Sequence, residues 1–287
     1  MSASVVRWEA VESLLRFDGM LGVLTSPDAS DSVSDLGVVI VVGGPQTRVG
    51  SHRQFVTLAR ALADAGYPCL RFDYTGMGDS PGPMPDFERA GPDIGLACDA
   101  LQREVPQCRR IVLWGLCEGA TAALFRSVVD ARIAGVVAAN PWARSDATRS
   151  AALVSQHYGS RLRSREFWTK LVAGRVDVLG SAREAVGHLR TALRVRNLRP
   201  EHAPRGDLPA RVARALHTSG RPVRLQLSGN DLTAAEFELA LAPFAALDAP
   251  NVSCLRLEHA DHTCSNPDDW QAALADTIAF LRGLQAR

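Results

Sequence analysis

The sequence predicts a doubly wound α/β domain, in which a mostly parallel sheet is covered by helices on both faces and a helical lid is inserted late in the chain. Three observations carry this prediction. Short β-rich runs alternate with helix-length amphipathic segments. One run, Gly37 to Val42, is almost unbroken Val and Ile, as a strand buried on both faces requires. The alternation is interrupted once, by a strongly basic stretch.

Taken in order, Leu14 to Phe17 and Leu21 to Thr25 read as an antiparallel pair turning at Asp18-Gly19. After the Gly37 strand come an amphipathic helix over Ser51 to Ala65 ending at Gly66, a strand over Pro68 to Asp73 and a helix over Phe87 to Glu104. Strand Arg110 to Trp114, helix Gly119 to Asp130 and strand Ile133 to Ala139 continue the series. It resumes with strand Val223 to Leu227, helix Ala234 to Leu247, strand Val252 to Leu257 and a helix near Asp268 to Leu284.

Charge marks the insert. The chain has 287 residues with 32 basic and 31 acidic side chains, yet Arg144 to Arg214 alone carries +9 and the remainder −8. This divides the chain into a core, 1–141 with 217–287, and a basic helical lid, 142–216. The near-neutral total argues against a general nucleic-acid binder, and 46% apolar residues exclude a disordered chain. No apolar stretch is long enough to span a membrane, and Arg7, Glu9 and Glu12 interrupt the region where a signal peptide would be apolar. The expected location is the cytoplasm. Six cysteines without C-x-x-C or zinc spacing are expected there as thiols, most of them core residues, and no metal or other cofactor is expected.

One cysteine is different. Gly115-Leu116-Cys117-Glu118-Gly119 joins a strand to a helix in the nucleophile-elbow pattern G-x-S-x-G, with sulfur replacing oxygen. The glycines are needed because the turn is too tight for side chains, and the following helix aims its N-terminal N–H groups at the sulfur, which favours thiolate. The Glu118 carboxylate is expected to face away. A thiol nucleophile needs a base, and the base an orienting acid. Asp231 and His262 follow the next-to-last and last strands in the required order, and reach favours them over Asp261 and His259.

The oxyanion hole is expected from the N–H of Glu118 and one in Val42-Gly43-Gly44-Pro45-Gln46. Pro45 has none, which leaves Gly44 or Gln46. Asp73 to Ser80 is rich in glycine but lacks a following Gly-Lys-Ser/Thr, so it reads as a tight turn beside the site. Arg48, His52 and Arg53 surround a helix start and form a candidate cluster for phosphate or carboxylate.

These residues resemble the α/β-hydrolase superfamily over essentially the whole chain apart from the insert. More narrowly, Gly43-Gly44-Pro45-Gln46, Val49-Gly50-Ser51-His52-Arg53, Arg71-Phe72-Asp73-Tyr74, Met77-Gly78-Asp79-Ser80, Trp114-Gly115-Leu116-Cys117 and Asn140-Pro141-Trp142 resemble the exosortase-associated hydrolases. Those are encoded with bacterial exopolysaccharide and carrier-protein genes. The resemblance implies Cys117 as nucleophile, Asp231 as acid and His262 as base. Where those relatives have an acidic residue followed by alanine after the cysteine, this chain has Glu118-Gly119.

Sulfur bears on the reaction. An acyl-cysteine is itself a thioester, so exchange with a pantetheine thiol is nearly isoenergetic and transfer becomes as plausible as hydrolysis. Similar Cys-elbow hydrolases move aminoacyl groups between carrier proteins, while dienelactone hydrolases release small acids. The expectation is an acyltransferase or thioesterase acting on an acyl carrier protein or coenzyme A thioester, with phosphopantetheine entering as part of the substrate. Arg161, Arg163 and Arg165 in the lid are candidates for receiving such an acidic partner. The alternatives are a small-molecule esterase or lactonase, and a non-catalytic binding module, which would require loss of a triad member.

Overall fold

The computed structural model describes residues 11–28, 33–144 and 207–286. Eight strands form one sheet: β1 (Val11–Phe17), β2 (Met20–Ser26), β3 (Leu36–Val41), β4 (Cys69–Asp73), β5 (Arg110–Leu116), β6 (Ile133–Ala139), β7 (Val223–Ser228) and β8 (Val252–Leu257). They lie in the order β1-β2-β4-β3-β5-β6-β7-β8. β2 is antiparallel to β1 and β4, and the remaining pairings are parallel. The Val/Ile run becomes β3, which sits between β4 and β5 and is buried throughout.

Among the described residues the helices are α1 (Gln54–Asp64), α2 (Gly91–Glu104), α3 (Glu118–Val129), α4 (Leu208–Thr218), α5 (Leu232–Leu241) and α6 (Pro267–Gln285). α1 packs beside α6, while α2, α3, α4 and α5 pack in series, so the two groups cover the two faces of the sheet. Phe55 of α1 meets Trp114 of β5 edge-on, with centroids 5.8 Å apart, which ties the first helix to the strand that carries the elbow.

Three helices are shorter than expected, each for a local reason. Residues Ser51–Arg53 form a 3₁₀ turn instead of the start of α1, because His52 and Arg53 adopt φ of 52° and 61°. α2 starts at Gly91, with Pro92 in its first turn, where the absent N–H costs nothing. α5 stops at Leu241, just before Pro243, and two 3₁₀ turns replace its expected last residues.

The insert boundary also moves. The nine residues 208–216, assigned by charge to the lid, belong to α4, whose Val212, Ala213 and Leu216 are buried in the main core. Arg211 and Arg214 extended the basic run, but they lie on a helix whose apolar face is committed to α3 and α5. At the other end Ala143 is buried, and Arg144 pairs with the buried Glu236 at 2.9 Å. The remainder of the expected lid, 145–206, lies outside the described residues, as do Arg161, Arg163 and Arg165.

The turn after β4 is organised by a fully buried carboxylate. Asp73 accepts hydrogen bonds from the backbone N–H groups of Arg48 (2.6 Å) and Asp79 (3.2 Å) and pairs with the Arg48 guanidinium. Gly78 crosses so close that a Cβ there would stand 2.3 Å from Asp73 Oδ2. The glycines of Asp73 to Ser80 thus wrap a buried charge, as a structural turn should. Removing the countercharge in Arg48→Met leaves that carboxylate unpaired, and urea unfolding should show a loss of about 3 kcal/mol. The exposed Arg53→Met should change stability by less than about 0.5 kcal/mol in the same measurement.

Candidate active site

Cys117 lies between β5 and α3 with φ 57° and ψ −125°, a conformation that costs a non-glycine residue of order 1–3 kcal/mol. The surroundings enforce it. The Cys117 N–H donates to the Ala139 carbonyl (2.9 Å), and the Cys117 carbonyl accepts from Trp142 N–H (3.2 Å). A Cβ on Gly115 would meet Ala120 backbone at 2.6 Å, and one on Gly119 would lie 2.3 Å from the Val41 carbonyl oxygen. Both elbow glycines are therefore sterically required. Cys117 is partly exposed, whereas Cys69, Cys98 and Cys108 are buried thiols of the core.

His262 and Asp231 converge on this turn. The loops after β7 and β8 are joined by backbone hydrogen bonds from Gly229 to Leu257 (2.8 Å) and from Asn230 to Ala260 (3.0 Å). A Cβ on Gly229 would sit 2.2 Å from the Glu258 carbonyl oxygen, so only glycine allows the approach. Asp231 Oδ2 then lies 2.9 Å from His262 Nδ1. The same carboxylate caps α5, accepting from Thr233 N–H (3.2 Å) and Ala234 N–H (3.1 Å). The Cys117 sulfur acts on the same ring, and together with Asp231 it favours the charged imidazole. The competing residues are turned to other tasks: Asp261 closes its own loop on Thr263 and Ser265, and His259 is exposed.

The loop after β3 is pressed against the elbow. A Cβ on Gly43 would meet the Leu116 carbonyl oxygen at 2.2 Å and stand 3.1 Å from Glu118 N. The next N–H, of Gly44, is directed at the elbow, where it donates to Glu118 Oε2 at 3.1 Å. The Glu118 carboxylate therefore turns inward, contrary to the expectation that it faces away. The Gln46 side chain donates to Ser51 Oγ at 3.3 Å, which leaves its backbone N–H as the alternative donor.

Of the expected anion cluster, Arg48 is not available. It is held by the buried Asp73 and by Asp79, whose carboxylates already neutralise it. His52 and Arg53 are exposed at the start of α1. Asn140 had no assigned role, yet it is buried with φ 42°, and its side chain donates to Ser228 Oγ (2.9 Å) and the His262 carbonyl (3.0 Å) while accepting from Ser228 N–H (2.8 Å). It fastens the end of β6 to β7 and to the loop that carries the histidine. A lone polar residue ending an apolar strand was its signal in the sequence.

Residues 38–277 match the family profile described as the alpha/beta hydrolase family. The chain belongs to that family. None of the curated proteins matches this alpha/beta hydrolase in sequence. Among solved structures it is similar to the Pyrococcus furiosus esterase Pf2001, with 16% identity, TM-score 0.62, and coverage of 97% of this chain and 92% of the other. It is similar to Est1E from Butyrivibrio proteoclasticus, solved with ferulic acid bound (16% identity, TM-score 0.62, 96% and 100% coverage). A third is the proline iminopeptidase of Mycobacterium smegmatis (15% identity, TM-score 0.59, 96% and 99% coverage). At these identities the likeness is one of fold. Among the described residues of this hydrolase there is no His, Cys, Asp and Glu grouping able to hold a metal, and no helix long and apolar enough to cross a membrane.

The electrostatics of the hydrolase site centre on His262. Burial disfavours its charge, but hydrogen bonds to Asp231 and the Cys117 sulfur, with the charges of both, outweigh burial and push the imidazole up to about 10. Since this lies above the unfolded value near 6.5, the stabilisation is complete below about pH 6.5 and is lost as pH rises through 10. The His262 ring protons should titrate by NMR well above neutrality, with the midpoint lower by at least about one pH unit in Asp231→Asn. The stability gap between the two proteins should narrow between pH 7 and 10; a wild-type midpoint below 7 would contradict this account.

Proposed function

We propose that the protein is a cysteine-dependent acyltransferase or thioesterase that works through an acyl-cysteine. The observation that carries this is the His262–Asp231 pair, 2.9 Å apart, together with the Cys117 sulfur that acts on the same ring from a strained, partly exposed turn. His262 Nε2 holds the proton given up by the thiol while Nδ1–H is held by Asp231, and the Cys117 thiolate so paired attacks the carbonyl carbon. The C=O electron pair moves onto oxygen, which accepts hydrogen bonds from Glu118 N–H and Gly44 N–H. Collapse expels the thiolate or alkoxide, which takes the proton back from His262. Water, thiol or amine, deprotonated by His262, then discharges the acyl group.

The donor we favour is a thioester on coenzyme A or an acyl carrier protein, because thiol-to-sulfur exchange is close to isoenergetic. No separate cofactor is needed, since pantetheine arrives with the substrate, and we place the reaction in the cytoplasm, without nucleic acid or membrane partners. The resemblance to exosortase-associated hydrolases belongs to the same proposal. Arg161, Arg163 and Arg165 are proposed as contacts for the acidic partner, with His52 and Arg53 as secondary contacts. Ester hydrolysis is the second reading, favoured by similarity in fold to esterases such as Pf2001 and Est1E.

Intact-protein mass spectrometry with acyl-coenzyme A and acyl-carrier donors tests the proposal. Wild type should gain one acyl mass that an added thiol or amine removes faster than water, and Cys117→Ala should gain none. Cys117→Ser should retain some hydrolysis and lose most transfer, and equal transfer by that variant would remove the argument from sulfur. Adduct discharge by water alone would favour the hydrolase. Reversal of Arg161, Arg163 and Arg165 to Glu should weaken carrier engagement and flatten its salt dependence; unchanged rates at all salt concentrations would mean those arginines only solvate their surface.

A further inference from the structure

The chain that leaves β6 is bound to the elbow by its backbone and to α5 by a side chain. Trp142 N–H donates to the Cys117 carbonyl at 3.2 Å, and the Trp142 carbonyl accepts from Oγ1 of the buried Thr121 at 2.6 Å. Two residues on, Arg144 lays its guanidinium over the Trp142 ring, 4.5 Å from the centroid, and its Nε donates to Glu236 Oε2 at 2.9 Å. Glu236 belongs to α5, the helix that Asp231 caps. A circuit is thereby closed, from Cys117 through Trp142, Arg144, Glu236 and α5 to Asp231, and from Asp231 through His262 back to the sulfur.

Stability is a poor reason for the buried pair in this circuit. Glu236 is 1% exposed, and its second oxygen, Oε1, is buried with no hydrogen-bond partner. Among the described residues its ion-pair partner is Arg144. Desolvation of such a carboxylate offsets most of what the pair returns, and apolar side chains of similar size fill places of this kind at little or no loss. What apolar side chains do not supply is direction. The bond from Nε to Glu236 and the stack on Trp142 fix the guanidinium from two sides, and with it the residue whose N–H and carbonyl grip the elbow.

We propose that Glu236 is a positioning residue for the nucleophile: through Arg144 and Trp142 it holds the turn of Cys117 in register with the helix that carries Asp231. This rests on the reading of Cys117 as nucleophile and extends the working site to a residue outside the triad. Because Glu236 acts through two other residues, its loss should slow the acylation step and leave substrate affinity as it is.

The test follows acylation of the full chain by the propionyl thioester of N-acetylcysteamine, using rapid quench and intact mass, and reads the maximal rate and the half-saturating concentration separately. The double variant Arg144→Leu/Glu236→Leu leaves no charge buried alone, so its thermal midpoint should stay within about 4 °C of wild type. Its maximal rate should fall about tenfold at an unchanged half-saturating concentration. Glu236→Gln, which keeps an oxygen for Arg144 Nε, should stay within about threefold of the wild-type rate. A double variant as fast as wild type overturns the proposal, as does a change confined to half-saturation. Glu236→Gln as slow as the double variant overturns it too, since charge and not direction would then be at work. If the double variant does not fold, Arg144→Lys decides, because it keeps the countercharge and loses the planar fork and its stack. It should acylate about fivefold more slowly, and wild-type speed overturns the proposal. Wild type that takes no acyl group, or takes it equally in Cys117→Ala, overturns the reading of Cys117 and this proposal with it.

Discussion

Everything at the site depends on an approach of the β3 loop to the turn after β5 that is closer than any side chain permits. Gly43 lies on the elbow backbone and Gly119 lies on the Val41 and Val42 carbonyls, each at distances where a Cβ would overlap. This contact sets Cys117 at positive φ between two backbone hydrogen bonds, one to β6 and one to the chain leaving β6. It also places the N–H of Gly44 next to the residue that follows the sulfur. Strained backbone persists only where its surroundings over-determine it. Here the pose of Cys117 and the placement of the Gly44 N–H come from one packing event, so a change at either glycine disturbs both.

His262 and Asp231 are positioned by a second, separate contact. Gly229 lets the β7 and β8 loops join through backbone hydrogen bonds before either side chain is involved. Asp231 then serves the helix and the histidine together, its buried oxygens satisfying two N–H groups of α5 and His262 Nδ1. Asn140 performs a similar double service between β6, β7 and the His262 carbonyl. Buried polar groups that are fully satisfied rigidify a site, and partly satisfied ones are costly. These two residues explain how side chains separated by more than a hundred positions keep a fixed geometry.

The sheet, the elbow and the order of Cys117, Asp231 and His262 were legible because each follows from a short-range rule: periodicity for strands and helices, and small residues for a tight turn. Element ends were less so. His52 and Arg53 take left-handed conformations that neither residue type announces, and the lid boundary was drawn by charge while α4 is fixed by its apolar face. Net charge reports what solvent sees, and packing is decided by the side chains it does not see. The same distinction explains Arg48, which reads as an anion receptor beside His52 but is consumed by the buried Asp73, a residue 25 positions later. The inward turn of Glu118 was invisible for the reason that it needs the Gly44 N–H, which only the folded loop supplies.

Arg48 and Glu118 together reverse the electrostatic picture that sequence alone suggests. The arginine of the loop after β3, Arg48, is already neutralised by two carboxylates, so it cannot serve an incoming anion without abandoning a fully buried partner. Glu118, expected to face away, turns its carboxylate onto the Gly44 N–H instead.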